Sequence, residues 1–136
     1  MIHFARLITT VLAMGLLLNR CNSLVPALPQ TIHLTEQKGC GSTVELKAGD
    51  MLELMLAGNP TTGYVWEISS SVPTVIRPVG EPEYKANSAA LGAGGIYTFR
   101  FQAVAAGQAQ LKLIYHRPFE RATPPLKTCD VTVVVK

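Results

Sequence analysis

No Cys-x-x-Cys or similar close pair occurs among Cys40, Cys129, His33 and His116, so these four residues give a structural zinc site nothing to build on. No basic run and no stacking platform of aromatics stands out, which removes the usual footprint of a nucleic-acid binder. No apolar run comfortably reaches the roughly 20 residues that a membrane-spanning helix wants. No internal repeat and no low-complexity tract is present. The glycine cluster from Gly92 to Gly95 lacks the Lys-Ser/Thr of a phosphate loop and precedes a strand rather than a helix. Asn59-Pro60-Thr61 is no glycosylation acceptor, because proline holds the middle position. A nucleophile–base set is missing as well. A Cys-His pair would need Cys40 or Cys129 close to His33 or His116 with an orienting group behind the histidine, but Cys40 sits in a Gly-flanked turn and Cys129 leads into a strand, both more natural as disulfide ends. Thr61 and Thr62 have no base nearby, and Glu81 and Glu83 fall in a Pro-rich loop that reads as a solvated face. These absences describe a protein that is not an enzyme and that needs neither cofactor nor metal.

Residues 1–27 are set apart from the rest. Arg6 precedes an apolar or small run from Leu7 to Leu18, and polar, Pro-containing sequence follows. This is the layout of a cleaved export signal, with the cut after Ala27 or after Ser23, and a retained N-terminal anchor is the alternative. Cys21 follows the apolar run as an acylated cysteine would, but Arg20 stands where a small residue is required. The implied organisation is a signal at 1–27 and a single domain at 28–136, monomeric, periplasmic or secreted, with no membrane contact unless the N-terminus is retained or lipidated. Removing residues 1–27 takes away two arginines and no acids, so the formal charge falls from +3 to about +1. Two cysteines remain, Cys40 and Cys129. In an exported protein they read first as one disulfide, contributing roughly 4–5 kcal/mol in the chain-entropy model, with two thiols as the other possibility.

Beyond the signal the dominant hydrophobic period is two. Val44 and Leu46 share a face, as do Tyr64, Trp66 and Ile68. Tyr97, Phe99, Phe101 and Ala103 oppose Thr98, Arg100 and Gln102, and the pattern returns at Leu111, Leu113 and Tyr115 and at Val131, Val133 and Val135. Ile32 and Leu34 open the set, "MLELMLAG" is a short apolar strand, and Asp50 ends the run before it. Breakers separate the runs at Ala48–Asp50, Gly58–Gly63, Gly92–Gly95, Ala106-Gly107 and Pro124-Pro125. Alternation of this kind, cut at regular intervals, predicts an all-β, antiparallel sandwich with no amphipathic helix. The stretch from Ser70 to Gly95 is the least regular and holds one or two short strands inside long loops.

Three loops are unusual. "NPTTGY", Asn59 to Tyr64, is stiff without bulk, because Pro60 fixes its own φ and restricts Asn59 while Gly63 permits a positive φ. "LGAGG", Leu91 to Gly95, allows close backbone approach beside an apolar residue. "RPF", Arg117, Pro118 and Phe119, combines an arginine and an aromatic with a rigid proline, the composition of a binding hot spot. Taken singly each is an ordinary turn. In this order and spacing they resemble the chagasin family, inhibitors of papain-like cysteine peptidases, over roughly residues 31–136.

The resemblance implies an immunoglobulin-like sandwich with the three loops at one end. It implies that the first loop enters the peptidase cleft with Thr61 nearest the catalytic cysteine, shaped by Asn59, Pro60, Thr62 and Gly63. Leu91, Gly92, Ala93, Gly94 and Gly95 would then flank it on one side, and Arg117, Pro118 and Phe119 on the other. Tyr64 belongs to the same motif. Phe119 stands where the family commonly has tryptophan, which leaves less area for stacking. Cys40 and Cys129 are no part of the family pattern and look like an added staple. Inhibition of this kind is tight, reversible and non-covalent, over an interface of about 1,600 Å². His116, beside Arg117, suggests sensitivity to mild acid. A sandwich of the same shape could instead recognise another surface protein or a glycan without inhibiting anything.

Overall fold

A computed structural model describes residues 25–136. The export signal and Cys21 lie wholly or almost wholly outside the described residues, of which only 25–27 fall within the proposed signal. Nine strands follow: β1 (Thr31–Thr35), β2 (Thr43–Leu46), β3 (Met51–Gly58), β4 (Val65–Ser70), β5 (Ile76–Pro78), β6 (Glu83–Ala86), β7 (Gly95–Ala103), β8 (Gly107–His116) and β9 (Lys127–Val135). One helical turn, α1 (Glu36–Gly39), and one 3-10 turn at Pro60–Thr62 interrupt them. The first sheet has the order β1-β3-β7-β5, with β6 also on β7, and the second has the order β2-β9-β8-β4.

The alternation explains the two layers. Leu52, Leu54 and Leu56 of β3 lie opposite Phe101, Phe99 and Tyr97 of β7, and all six are buried. They face Leu111, Leu113 and Tyr115 of β8 and Val131, Val133 and Val135 of β9, within one core cluster. Each such side chain contributes about 1.5–3 kcal/mol when taken out of water. A one-residue slip of any strand would expose its whole inner set, so the register is firmly specified.

The sandwich differs from the antiparallel expectation at two pairings. β1 runs parallel to β3, and β2 runs parallel to β9. A parallel pair needs a crossover connection. Here the chain between β1 and β3 passes through α1 into the second sheet, forms β2 there, and returns. The Cys40–Cys129 disulfide fastens this excursion to β9, with Cα atoms 4.7 Å apart. Of the two possibilities left open by the sequence, the bonded one is present. The irregular stretch contains the two short strands β5 and β6, as expected.

Ladder ends set the loops. The β3–β7 ladder finishes at Gly58 opposite Gly95, and the β4–β8 ladder begins at Val65 opposite His116. The chain from Gly58 to Val65 therefore leaves one sheet and enters the other at the same end of the molecule. It passes between the loop that precedes Gly95 and the loop that follows His116.

Candidate functional site

The central loop is a built turn. Asn59 is extended, and its side-chain Oδ1 accepts from the Thr61 backbone N–H at 3.1 Å and from Thr61 Oγ1 at 2.6 Å. Its backbone carbonyl accepts from Thr62 Oγ1 at 2.6 Å and from the Thr62 N–H at 3.2 Å. Gly63 closes the turn with φ +82°, its N–H donating to the Pro60 carbonyl at 3.0 Å. A side chain at that φ is strained, and a Cβ there would lie 3.2 Å from the Phe119 ring. Thr61 and Thr62 are exposed, while Asn59, Pro60, Gly63 and Tyr64 are half-buried.

Both neighbouring loops are tied to this turn. Asn59 Nδ2 donates to the Gly92 carbonyl at 2.9 Å, and Arg117 Nε donates to the Thr62 carbonyl at 3.1 Å. Gly92 takes φ +74°, and Leu91 beside it is fully exposed. Ala93 and Gly94 are half-buried, their carbonyls accepting from the Tyr84 hydroxyl at 3.4 Å and the Asn87 N–H at 2.9 Å. Gly95 is not at a tip; it is buried as the first residue of β7. Pro118 and Phe119 are exposed, with Phe119 resting its ring edge against Gly63.

Arg117 differs from a freely offered cation. Its guanidinium lies 4.4 Å over the Tyr64 ring and pairs with Glu120 at 2.9 Å through Nη1, besides holding Thr62. The hydrogen bond to Glu120 is the main cause that raises its pKa above the usual arginine value. Planar, multidentate work of this kind is what arginine does and lysine does not. His116, next to it, places Nε2 2.7 Å from Glu67 on β4.

Three supports of the loops were not assigned from the sequence. The Tyr115 hydroxyl accepts from the Asn59 N–H at 2.7 Å, and Trp66 Nε1 donates to the Ala57 carbonyl at 2.9 Å. Both residues had been placed in the core by alternation. The available signal was the polar tip of an aromatic at the loop-proximal part of a strand. Glu120, three residues after Arg117, is the third. Tyr64 stacks on Tyr115 with centroids 5.3 Å apart, and Trp66 packs tilted against the same ring at 5.1 Å. No group of three or more potential metal ligands exists among the described residues.

The architecture is thus a two-sheet immunoglobulin-like scaffold presenting three interlocked loops at one pole. The chain belongs to the chagasin family of peptidase inhibitors (I42), whose family model matches residues 45–133 and so spans all three loops. Amoebiasin-2 of Entamoeba histolytica is 29% identical over 108 residues, covering 77% of this chain and 86% of that protein. Chagasin of Trypanosoma cruzi is 32% identical over 91 residues, covering 64% and 83%. The crystal structure of a cysteine protease inhibitor from Entamoeba histolytica superposes with a TM-score of 0.67 at 25% identity, over 79% of this chain and 96% of that one.

Proposed function

We propose that this chain is an exported, monomeric inhibitor of papain-family cysteine peptidases, binding tightly and reversibly. The Asn59–Gly63 loop enters the active-site cleft with Thr61 over the catalytic cysteine. Leu91–Gly94 lie on one cleft wall and Arg117–Phe119 on the other. Residues 1–27 act as the export signal and 28–136 as the inhibitor domain, in the periplasm or outside the cell. A disulfide between Cys40 and Cys129 fits an oxidising compartment.

The observation that carries the reading is the way the central loop spends its carbonyls. Those of Asn59, Pro60 and Thr62 all accept hydrogen bonds, from Thr62, Gly63 and Arg117 respectively. A peptidase cleaves by drawing a carbonyl oxygen into an oxyanion hole as a nucleophile attacks the carbon. With these three carbonyls engaged on either side of Thr61, the loop enters the cleft as a fixed turn, held out of the extended form in which a substrate offers its bond. Its order also precedes binding, so little entropy is lost on docking and more of the contact energy appears as affinity.

The test is a titration of active papain with the purified domain, following hydrolysis of a small substrate. The expected result is loss of activity at near-stoichiometric inhibitor, recovered on dissociation, with the Thr61 loop uncut. Full papain activity at large excess of folded protein would instead favour a binding module on the same scaffold.

A further inference from the structure

The pairing of β1 with β3 stops at Thr35 opposite Met55, two residues short of Ala57. The edge of β3 just below the central loop therefore has no strand beside it. Its Ala57 N–H donates instead to a side chain, Glu36 Oε2, at 3.0 Å. The other oxygen of the same carboxylate takes Lys127 Nζ at 3.2 Å. That ammonium lies 5.5 Å from the ring centroid of Tyr115, whose hydroxyl holds the Asn59 N–H. One carboxylate thus reaches the base of the loop from both sheets.

Glu36 stands on a helical turn too short to persist alone. The near end of α1 continues from Thr35, paired with Met55, and its far end is fixed separately. The Cys40 N–H closes the turn onto the Glu36 carbonyl at 3.1 Å, and Cys40 is bonded to Cys129, two residues from Lys127 on β9. The neighbouring Gly41 N–H donates to the Asp130 carbonyl at 2.7 Å, and Gly39 packs against Leu54 and Leu34 too closely to admit a side chain without a shift.

We propose that Glu36 is a positioning residue for the Asn59–Gly63 loop, substituting for the missing edge of β1, and that the Cys40–Cys129 bond keeps it in place. The inference rests on the inhibitory reading for its effect on affinity, but not for its effect on the loop. The disulfide then does more than stabilise the fold: it is coupled to inhibition through α1.

Two readouts on the disulfide-bonded domain decide it. One is the inhibition constant against papain that has been activated and then freed of thiol reductant. The other is amide hydrogen exchange at Ala57, Asn59, Thr61 and Thr62, which needs no peptidase. Glu36→Ala should weaken inhibition by about tenfold, the worth of one charged hydrogen bond, and speed exchange at those amides. Glu36→Gln retains an acceptor for Ala57 and loses only the exposed pair with Lys127, so it should stay within about twofold of wild type. Cys40→Ala/Cys129→Ala should resemble Glu36→Ala, and combining the two should add little, because both remove one support. Wild-type exchange in folded Glu36→Ala overturns the proposal, as do equal losses in the Ala and Gln variants. Multiplying losses in the combined variant overturn the coupling to the disulfide. If the cysteine variant does not fold, the two Glu36 variants carry the test of the brace. Should wild type fail to inhibit papain at all, the inhibitory reading falls, and the exchange arm still decides the role of Glu36.

Discussion

At the pole away from the loops the chain turns on a buried carboxylate, whereas at the loop pole it turns on glycines and on side chains that stay half in water. Asp50 is the one buried charged residue among those described, and its two oxygens accept from the Gln30 and Lys47 N–H groups at 3.0 and 2.9 Å. Around it Gly49 donates to Ala103 and Ala48 to Lys136, so the backbone there is closed on itself. The loop pole is also tied internally, through Asn59, Arg117 and Tyr115, yet it leaves Leu91 and Phe119 projecting, exposed by 104% and 72%. Leu91 and Phe119 therefore contribute little buried area to the core. One pole ends the sandwich, and the other uses it as a mount.

If that division is real, substitutions at the two poles should separate affinity from stability. The largest effect is expected at Thr61, exposed at the tip of the central turn. Thr61→Arg should weaken papain inhibition by roughly a hundredfold, the scale of a central hot spot, while thermal unfolding stays where it was. Retained inhibition would mean that this loop is not the wedge. Next comes Arg117→Lys. An ammonium cannot hold Thr62, Glu120 and the Tyr64 face together, so affinity should fall by roughly tenfold with little change in melting temperature. Wild-type affinity would show the tie between the loops to be incidental. Tyr115→Phe sits between the categories. It strands the Asn59 N–H and should cost about 1 kcal/mol of stability in denaturant unfolding, together with a several-fold loss of inhibition. A stability loss with no change in inhibition would assign Tyr115 to the core alone.

The strands were legible because their chemistry is local. In "IYTFRFQAV" the residues read as inward, Tyr97, Phe99, Phe101 and Ala103, are all buried, and the same holds for the inner sets of β8 and β9. Period-two alternation is blind to strand direction, however, so it could not show that β1 and β2 lie parallel to their partners. A single turn such as α1 is too short to display a 3.6-residue period. The loop residues were readable as turns from Pro60, Gly63 and Gly92, and as a site only through their joint resemblance to a family. The bonds that hold them escaped notice for a physical reason. Glu36 reaches across 21 residues and Tyr115 across 56, and the neighbourhood of such a side chain shows at most a polar tip near a strand end, never the distant backbone group it holds. Asp50 reads as the end of a strand because one of its two partners, Gln30, lies 20 residues away, while the other, Lys47, belongs to its own turn.

Asp50→Asn should have the smallest effect on inhibition and an effect on stability whose sign depends on pH. The hydrogen bonds from the Gln30 and Lys47 backbones are the leading causes that hold the Asp50 carboxyl below its ordinary value of 3.8. A group whose pKa is depressed by folding stabilises the native state fully above its unfolded value and loses that contribution as pH falls through its folded one. At pH 7 the wild-type domain should therefore melt several degrees above Asp50→Asn, whose amide can accept through one oxygen only. As pH drops below 3.8 the gap should begin to narrow, and it should close once pH has fallen through the lower folded value, where wild type carries a neutral acid in the same place. Thermal unfolding of both proteins over a series from pH 7 downward reads the gap directly, and a gap that shows no narrowing at any pH below 3.8 at which both proteins still fold would remove the carboxylate charge as its source. Papain inhibition at neutral pH should be the same for the two proteins at a temperature where both are folded. A change in that constant would mean that strain at the far pole reaches the loops through β3, the strand that starts beside Asp50 and ends at Gly58, and the two ends would then have to be treated as one device.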